Sequence, residues 1–290
     1  MRPHRALVVI NARSRRGSND VTAALEVLRS SGMEVLALRL DSPVEVEAAI
    51  REHRALVDLV VIGGGDGTMN AAAEALLATG LPLGILPLGT ANDLARVLAI
   101  PPDPVAAARI VVVGKRRRID LGRANDKLFF NIATMGLSAR LARAMDRRTK
   151  RRFGALAYAI TLARIGLGQP FHATIRTGSE TVAVKAIQIA VGNGRYHGGG
   201  IVVHEEAAID DQLLHLYALE PHSPWQLLRK LPWLLRGRHS AIAGVVTLTA
   251  PAIDVLTDRM LPVNTDGELT THTPVHFTVL PQAIEVFAPA

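Results

Sequence analysis

Four apolar runs alternate with helix-forming stretches over the first hundred residues, and no other feature constrains the fold as strongly. The runs are "RALVVINA" (5–12), "MEVLALRL" (33–40), "ALVDLVVIGGG" (55–65) and "LPLGILPLG" (81–89). Asn19-Asp20 caps a helix that continues to about Ser31, and Ser42-Pro43 starts another that runs to about His53, since Pro is tolerated in a first helical turn. "TMNAAAEALLAT" (68–79) is strongly helical. Alternation of this kind predicts a parallel, doubly wound α/β sheet, whose binding crevice lies at the carboxyl ends of its strands. Both glycine-rich loops, at 63–67 and 84–90, fall at such ends.

The rhythm changes after about residue 118. "RIDLGRANDKLFFNIATMG" (118–136) reads as two strands joined at "AND", and "FHATIRTGSETVAVKAIQIAVGN" (171–193) as a hairpin around Gly178. "LLHLYAL", "AGVVTLTA", "AIDVLTD", "VHFTVL" and "AIEVFAP" are further short strands. The expected organisation is a nucleotide-binding α/β domain at 1–118 and a mainly antiparallel β domain at 119–281 with helical insertions near 138–167 and 223–236. A last strand near 282–290 is free to return to the first domain.

Composition narrows the chemistry. Cysteine is absent, which excludes disulfides, thiolate metal sites and cysteine nucleophiles together and fits a cytoplasmic setting. The first apolar run is too short for a signal peptide, and "FGALAYAITLARIGLG" (153–168) is broken by Arg164 and falls short of the roughly 20 apolar residues a membrane span needs. A net charge of +7 points to anionic partners. Nucleic acid is not expected among them, because no binding module and no interleaving of aromatics with basic residues is present. No histidine falls into a zinc-protease spacing, since "HEEA" (204–207) lacks the second His.

"VIGGGDGTMN" (61–70) poses a sharper problem. A glycine turn between strand and helix converges backbone N–H groups on phosphate, yet it satisfies neither the Walker nor the dinucleotide spacing, and Asp66 sets a negative charge beside it. A carboxylate next to phosphates calls for a cation between them, so Asp66 is read as holding Mg²⁺, directly or through water. The alternative is a tight turn in which Asp66 caps a helix beginning at Thr68. The loop "ILPLGTANDLAR" (85–96) adds Thr90, Asn92 and Asp93 beside a second glycine, with a helix cap at Asn92 or Asp93 as its plainer reading.

Asp-Gly-Thr after two glycines, followed by "PLGTAND", is similar to the diacylglycerol kinase catalytic-domain family, which includes bacterial lipid kinases and the sphingosine and ceramide kinases. "NARSRRGS" (11–18), "VGNGRYHGGGIVVHEEAAIDDQLLHLY" (191–217) and "VNTDGELT" (263–270) extend the resemblance in family order over nearly the whole chain. It implies a lipid kinase that binds ATP and Mg²⁺ in an inter-domain cleft. Asn11, Ser14, Gly64, Gly65, Asp66, Gly67, Thr68, Thr90, Asn92 and Asp93 would surround the nucleotide, joined by Arg15, which replaces the usual Gly of the first loop. Asp66 and Glu268 would be catalytic, with Glu268 accepting the proton of the lipid hydroxyl. The family also implies a structural Mg²⁺ on Asp211 and the carbonyls of Ala208 and Leu213, where Gln212 stands in place of the usual Gly.

A lipid substrate implies peripheral contact with an anionic membrane. "DRRTKRR" (146–152) and the Trp- and Arg-containing segment 225–239 are the expected contact segments, and a homodimer is left open. Two rival readings are an NAD kinase-like enzyme, which shares Gly-Gly-Asp-Gly, and a non-catalytic nucleotide- or lipid-binding protein.

Overall fold

The computed structural model describes residues 4–12, 14, 18–113, 115–144, 168–194, 196–197, 201–202, 207–221 and 244–289. The first helices and strands follow in the order β1 (Arg5–Asn11), α1 (Ser18–Ser30), β2 (Glu34–Leu40), α2 (Pro43–His53), β3 (Leu59–Gly64), α3 (Asp66–Thr79), β4 (Leu83–Pro87), α4 (Asp93–Val97) and α5 (Pro104–Val113). Then come β5 (Lys115–Ala124), β6 (Lys127–Phe129), β7 (Ile132–Gly136), α6 (Leu137–Ala144), β8 (Phe171–Arg176), β9 (Thr181–Ala186), β10 (Gln188–Gly192), β11 (Tyr196–His197) and β12 (Ile201–Val202). The chain ends with β13 (Leu214–Leu219), β14 (Val245–Ala250), β15 (Ala252–Thr257), β16 (Pro262–Thr265), β17 (Glu268–His272) and β18 (Val275–Ala288). Two compact units result, the first built from Met1–Leu121 with Leu280–Ala290, the second from Gly122–His197 with Ile201–Val279.

In the first unit β1 lies between β2 and β3, all parallel, and β4 follows parallel to β3. Ala6 to Val9 and Val60 to Ile62 are wholly buried, as strands covered on both faces must be, which is why they read as unbroken apolar runs. Local chemistry sets the helix limits. Glu45 accepts the backbone N–H groups of Asp41 and Ser42 at 3.1 and 3.0 Å, closing the start of α2 behind Pro43. Gly80 ends α3 at a φ of 68°, donating its N–H to Leu76 O. The C-terminal half of β18 joins this sheet parallel to β4, with Val286 opposite Leu83. Gln282, at a φ of 50°, donates its N–H to the buried Asp120 carboxylate at 2.7 Å.

The second unit is a sandwich of antiparallel strands. One sheet runs β14-β13-β10-β7-β16-β17; the other brings together β15, β8 and β9 with the first part of β18. Their inner faces share one core, in which Met135, Ile189, Val191 and Leu216 from one sheet meet Phe171, Ile175, Val255 and Phe277 from the other. The Phe129 ring stands edge-on to Phe277 at 6.4 Å, and Gly122 lets it in, since a Cβ there would lie 2.1 Å from the Phe129 ring.

Three expected details differ. The segment 118–136 forms three strands, because the chain turns again at Phe130-Asn131. "VHFTVL" and "AIEVFAP" are one continuous strand, β18, which pairs with β15 at its start and with β4 near its end. Helix α3 begins at Asp66, two residues before Thr68, with Gly65 at its N-cap. The expected helical insertion near 138–167 is described only as α6, and the one at 223–236 lies outside the described residues.

Candidate active site

Strand order reverses at β1, whose neighbours β2 and β3 follow it on opposite sides, and the carboxyl end of such a pair is where an open α/β sheet leaves a crevice. Asn11 ends β1 there and Gly64 ends β3. The Asn11 Nδ2 donates to Thr68 Oγ1 at 2.9 Å, so the first loop is tied to the first turn of α3. Ser14 follows one turn on, its N–H bonded to Asn11 O.

The glycines have contacts that explain them. A Cβ on Gly64 would stand 2.5 Å from Thr68 Oγ1, and one on Gly89 would stand 2.5 Å from Gly65 Cα. The two glycine loops therefore touch backbone to backbone. Asn92, at a φ of 50°, clasps the second loop by accepting the Gly89 N–H at 2.9 Å and donating to Gly89 O at 3.1 Å. Thr68 and Asp93 are buried, while Gly67 and Thr90 are exposed.

Asp66 has a protein partner. Its Oδ1 accepts the Leu94 N–H at 3.2 Å, and the amides of Asp93 and Asn92 also bear on it. Burial pushes its carboxyl above the usual carboxylate value, against these amides, which favour the charged form. It caps the start of the neighbouring helix α4, which neither a metal nor a cap on its own helix had suggested. The α4 start therefore occupies Oδ1, and among the described residues no group of three acidic or histidine side chains gathers that could hold a metal ion. The same turn does fit phosphate: an exposed Gly67 opens the N-terminal end of a fourteen-residue helix at a strand's carboxyl end.

Glu268 lies in the second unit, exposed, as the first residue of β17. The turn before it is an Asp-Gly hairpin, with Asp266 at a φ of 48° and Gly267 at 101°. Asp266 does more than turn the chain. Its carboxylate accepts the N–H groups of Phe130 at 2.7 Å and of Asn131 and Ile132 at 3.0 Å each, while its own N–H donates to Ile132 O. Asn264 Oδ1 accepts the Gly267 N–H at 3.0 Å, and the Thr265 hydroxyl, wholly buried, meets that of Thr270 at 2.9 Å. Asp266 and Asn264 were not singled out from the sequence. The partners of Asp266 lie more than 130 residues away, so no local pattern announces them.

Asp211 sits in a third cluster. It accepts N–H groups from Ala208 and Leu213, each at 2.9 Å, and from the His215 Nε2 at 2.8 Å. Gln212 takes a φ of 62°, the left-handed conformation a glycine adopts most readily. Arg15 and the basic segments 146–152 and 225–239 lie outside the described residues. No described helix is long and apolar enough to cross a membrane.

Comparison with known proteins covers both units. Residues 5–124 match the diacylglycerol kinase catalytic domain, and residues 131–288 match the YegS C-terminal NAD kinase beta sandwich-like domain. A Pseudomonas aeruginosa protein named "Probable lipid kinase YegS-like" is 36% identical over 283 residues, 94% of this chain and 91% of its own length. A Klebsiella pneumoniae protein of the same name is 37% identical over 218 residues, 73% of this chain and 72% of its own. The crystal structure of a diacylglycerol kinase from Bacillus anthracis superposes with a TM-score of 0.84 at 22% identity, covering 99% of this chain and 98% of that one, a likeness of fold.

Proposed function

The chain belongs to the diacylglycerol kinase catalytic-domain family and is a lipid kinase, and from that premise we propose that it transfers the γ-phosphoryl group of ATP to a hydroxyl of diacylglycerol or a related lipid. The observation that carries the nucleotide half is the pair of glycine loops packed against each other at the strand-order reversal, with the start of α3 open beside them. Backbone N–H groups of 65–67 and the hydroxyl of Thr90 receive the phosphates, and Asn11 and Ser14 bound the same crevice.

Glu268 is the general base in this reading. Its carboxylate takes the proton of the lipid hydroxyl as that oxygen bonds to the γ-phosphorus, and the bond from phosphorus to the β–γ bridging oxygen breaks to release ADP. Asp266 positions it. Three backbone N–H groups on one carboxylate fix the turn, so Glu268 starts β17 from a rigid corner. Magnesium, implied by the family, would neutralise charge on the triphosphate. Contact with an anionic membrane through 146–152 and 225–239 completes the reading, because a diacyl substrate stays in its bilayer.

The test is to incubate the protein with total lipid extract and labelled ATP and to identify the product by mass, with NAD as the competing acceptor. A phosphorylated lipid is expected. Label transferred to NAD alone, or ATP bound with transfer to nothing, would replace this reading with one of its rivals. Sedimentation with vesicles rich in anionic lipid checks the membrane contact.

A further inference from the structure

The family resemblance puts a divalent ion on Asp211, with the carbonyls of Ala208 and Leu213 as its other protein ligands. In this structure the carboxylate is already met by donors. Ala208 and Leu213 turn their N–H groups to the carboxylate, and the Ala208 carbonyl faces the Asp211 N–H at 3.4 Å. A cation on Asp211 would meet the positive ends of these amides and of a third donor, His215 Nε2, at 2.8 Å.

His215 is itself held on both sides. It is 5% exposed, and its other ring nitrogen, Nδ1, lies 3.3 Å from the Thr249 hydroxyl, its register partner on β14. Since an ionised carboxylate only accepts, Nε2 carries the proton shared with Asp211, while Nδ1 and the Thr249 hydroxyl share the second contact. The ring thus ties the 208–213 loop to two paired strands.

We infer that His215 stands in place of the metal in this chain, so that the Asp211–His215 pair holds the 208–213 loop without a divalent ion. The sequence signal is a histidine four residues after the aspartate, at the second position of β13.

The inference relies on the family reading only for the metal it replaces, and its test uses neither nucleotide nor lipid, so the two can fail separately. The thermal midpoint of the full chain is measured in EDTA, in millimolar MgCl₂ and in millimolar CaCl₂. The same midpoint is expected in all three, together with a midpoint several degrees lower for His215→Leu in EDTA. A rise with Mg²⁺ or Ca²⁺ that disappears in Asp211→Asn overturns the inference; a rise that survives in Asp211→Asn belongs to another site and leaves it standing. If His215→Leu does not fold, His215→Gln takes its place, since it loses one of the two ring contacts. An undiminished midpoint in the variant that folds rejects the role given to the ring.

Discussion

The Asp66 carboxylate accepts the backbone N–H of Leu94 at 3.2 Å, across 28 residues of chain, and so joins the glycine loop after β3 to the start of the helix after β4. The acid of the glycine turn thus holds the start of a neighbouring helix.

Replacing Asp66 separates that role from any part in magnesium use. Asp66→Ala leaves the Leu94 N–H without its acceptor and is expected to lower stability by about 1 kcal/mol in urea titration, while Asp66→Asn keeps an acceptor oxygen and loses less. The pH dependence has a defined sign. Because burial raises the folded-state carboxyl above 3.8, folding favours the protonated form. The stability difference between wild type and Asp66→Asn therefore falls as pH rises from about 3.8 through the folded-state value. A flat difference, or a magnesium requirement altered in Asp66→Asn, would show that the carboxylate faces charge other than the α4 amides.

Glu268→Gln is expected to bind ATP as before and to lose about 10²- to 10⁴-fold in kcat, the usual worth of a positioned base. Its exposed position means that the thermal midpoint should hardly move. Near-normal turnover removes Glu268 from the chemistry.

Asp266→Ala strands three backbone N–H groups at once, and a loss of about 2–4 kcal/mol is expected from equilibrium unfolding. Asp266→Asn, which retains one acceptor oxygen, should fold well enough for kinetics and show a lowered kcat with an unchanged KM for ATP. A KM effect without a kcat effect would contradict a positioning role for Asp266.

Gly89→Ala should be far worse than Gly178→Ala. The added methyl at 89 meets Gly65 Cα at 2.5 Å and Asn92 Oδ1 at 2.7 Å, and backbone has little room to yield, whereas at 178 it meets nothing within 4 Å. About 1–3 kcal/mol and weakened nucleotide binding are expected at 89, with both near wild type at 178, by urea unfolding and ATP titration.

Local order was legible wherever one short stretch carries its own reasons. The buried strands β1 and β3 are continuous apolar runs, α2 opens on Ser-Pro with a glutamate at its third position, and the asparagine of "GTAND" sits at the cap of α4. An Asp-Gly pair carries the backbone requirements of a hairpin in two residues, as the turn before Glu268 shows. The start of α3 was misplaced by two residues because Gly65 caps with backbone geometry and offers no side chain to read.

What the residues determined alone, then, was a parallel α/β half followed by an antiparallel half, and the two glycine loops with the acid between them; these follow from periodicity, glycine and proline, which act over a few residues. Only the tertiary structure decided what the carboxylates face. Asp66 finds Leu94, Asp266 finds 130–132, and Asp211 is met by an imidazole and two amides. A carboxylate can accept N–H groups or bind a cation, and which of them it meets depends on chain segments that come together only on folding.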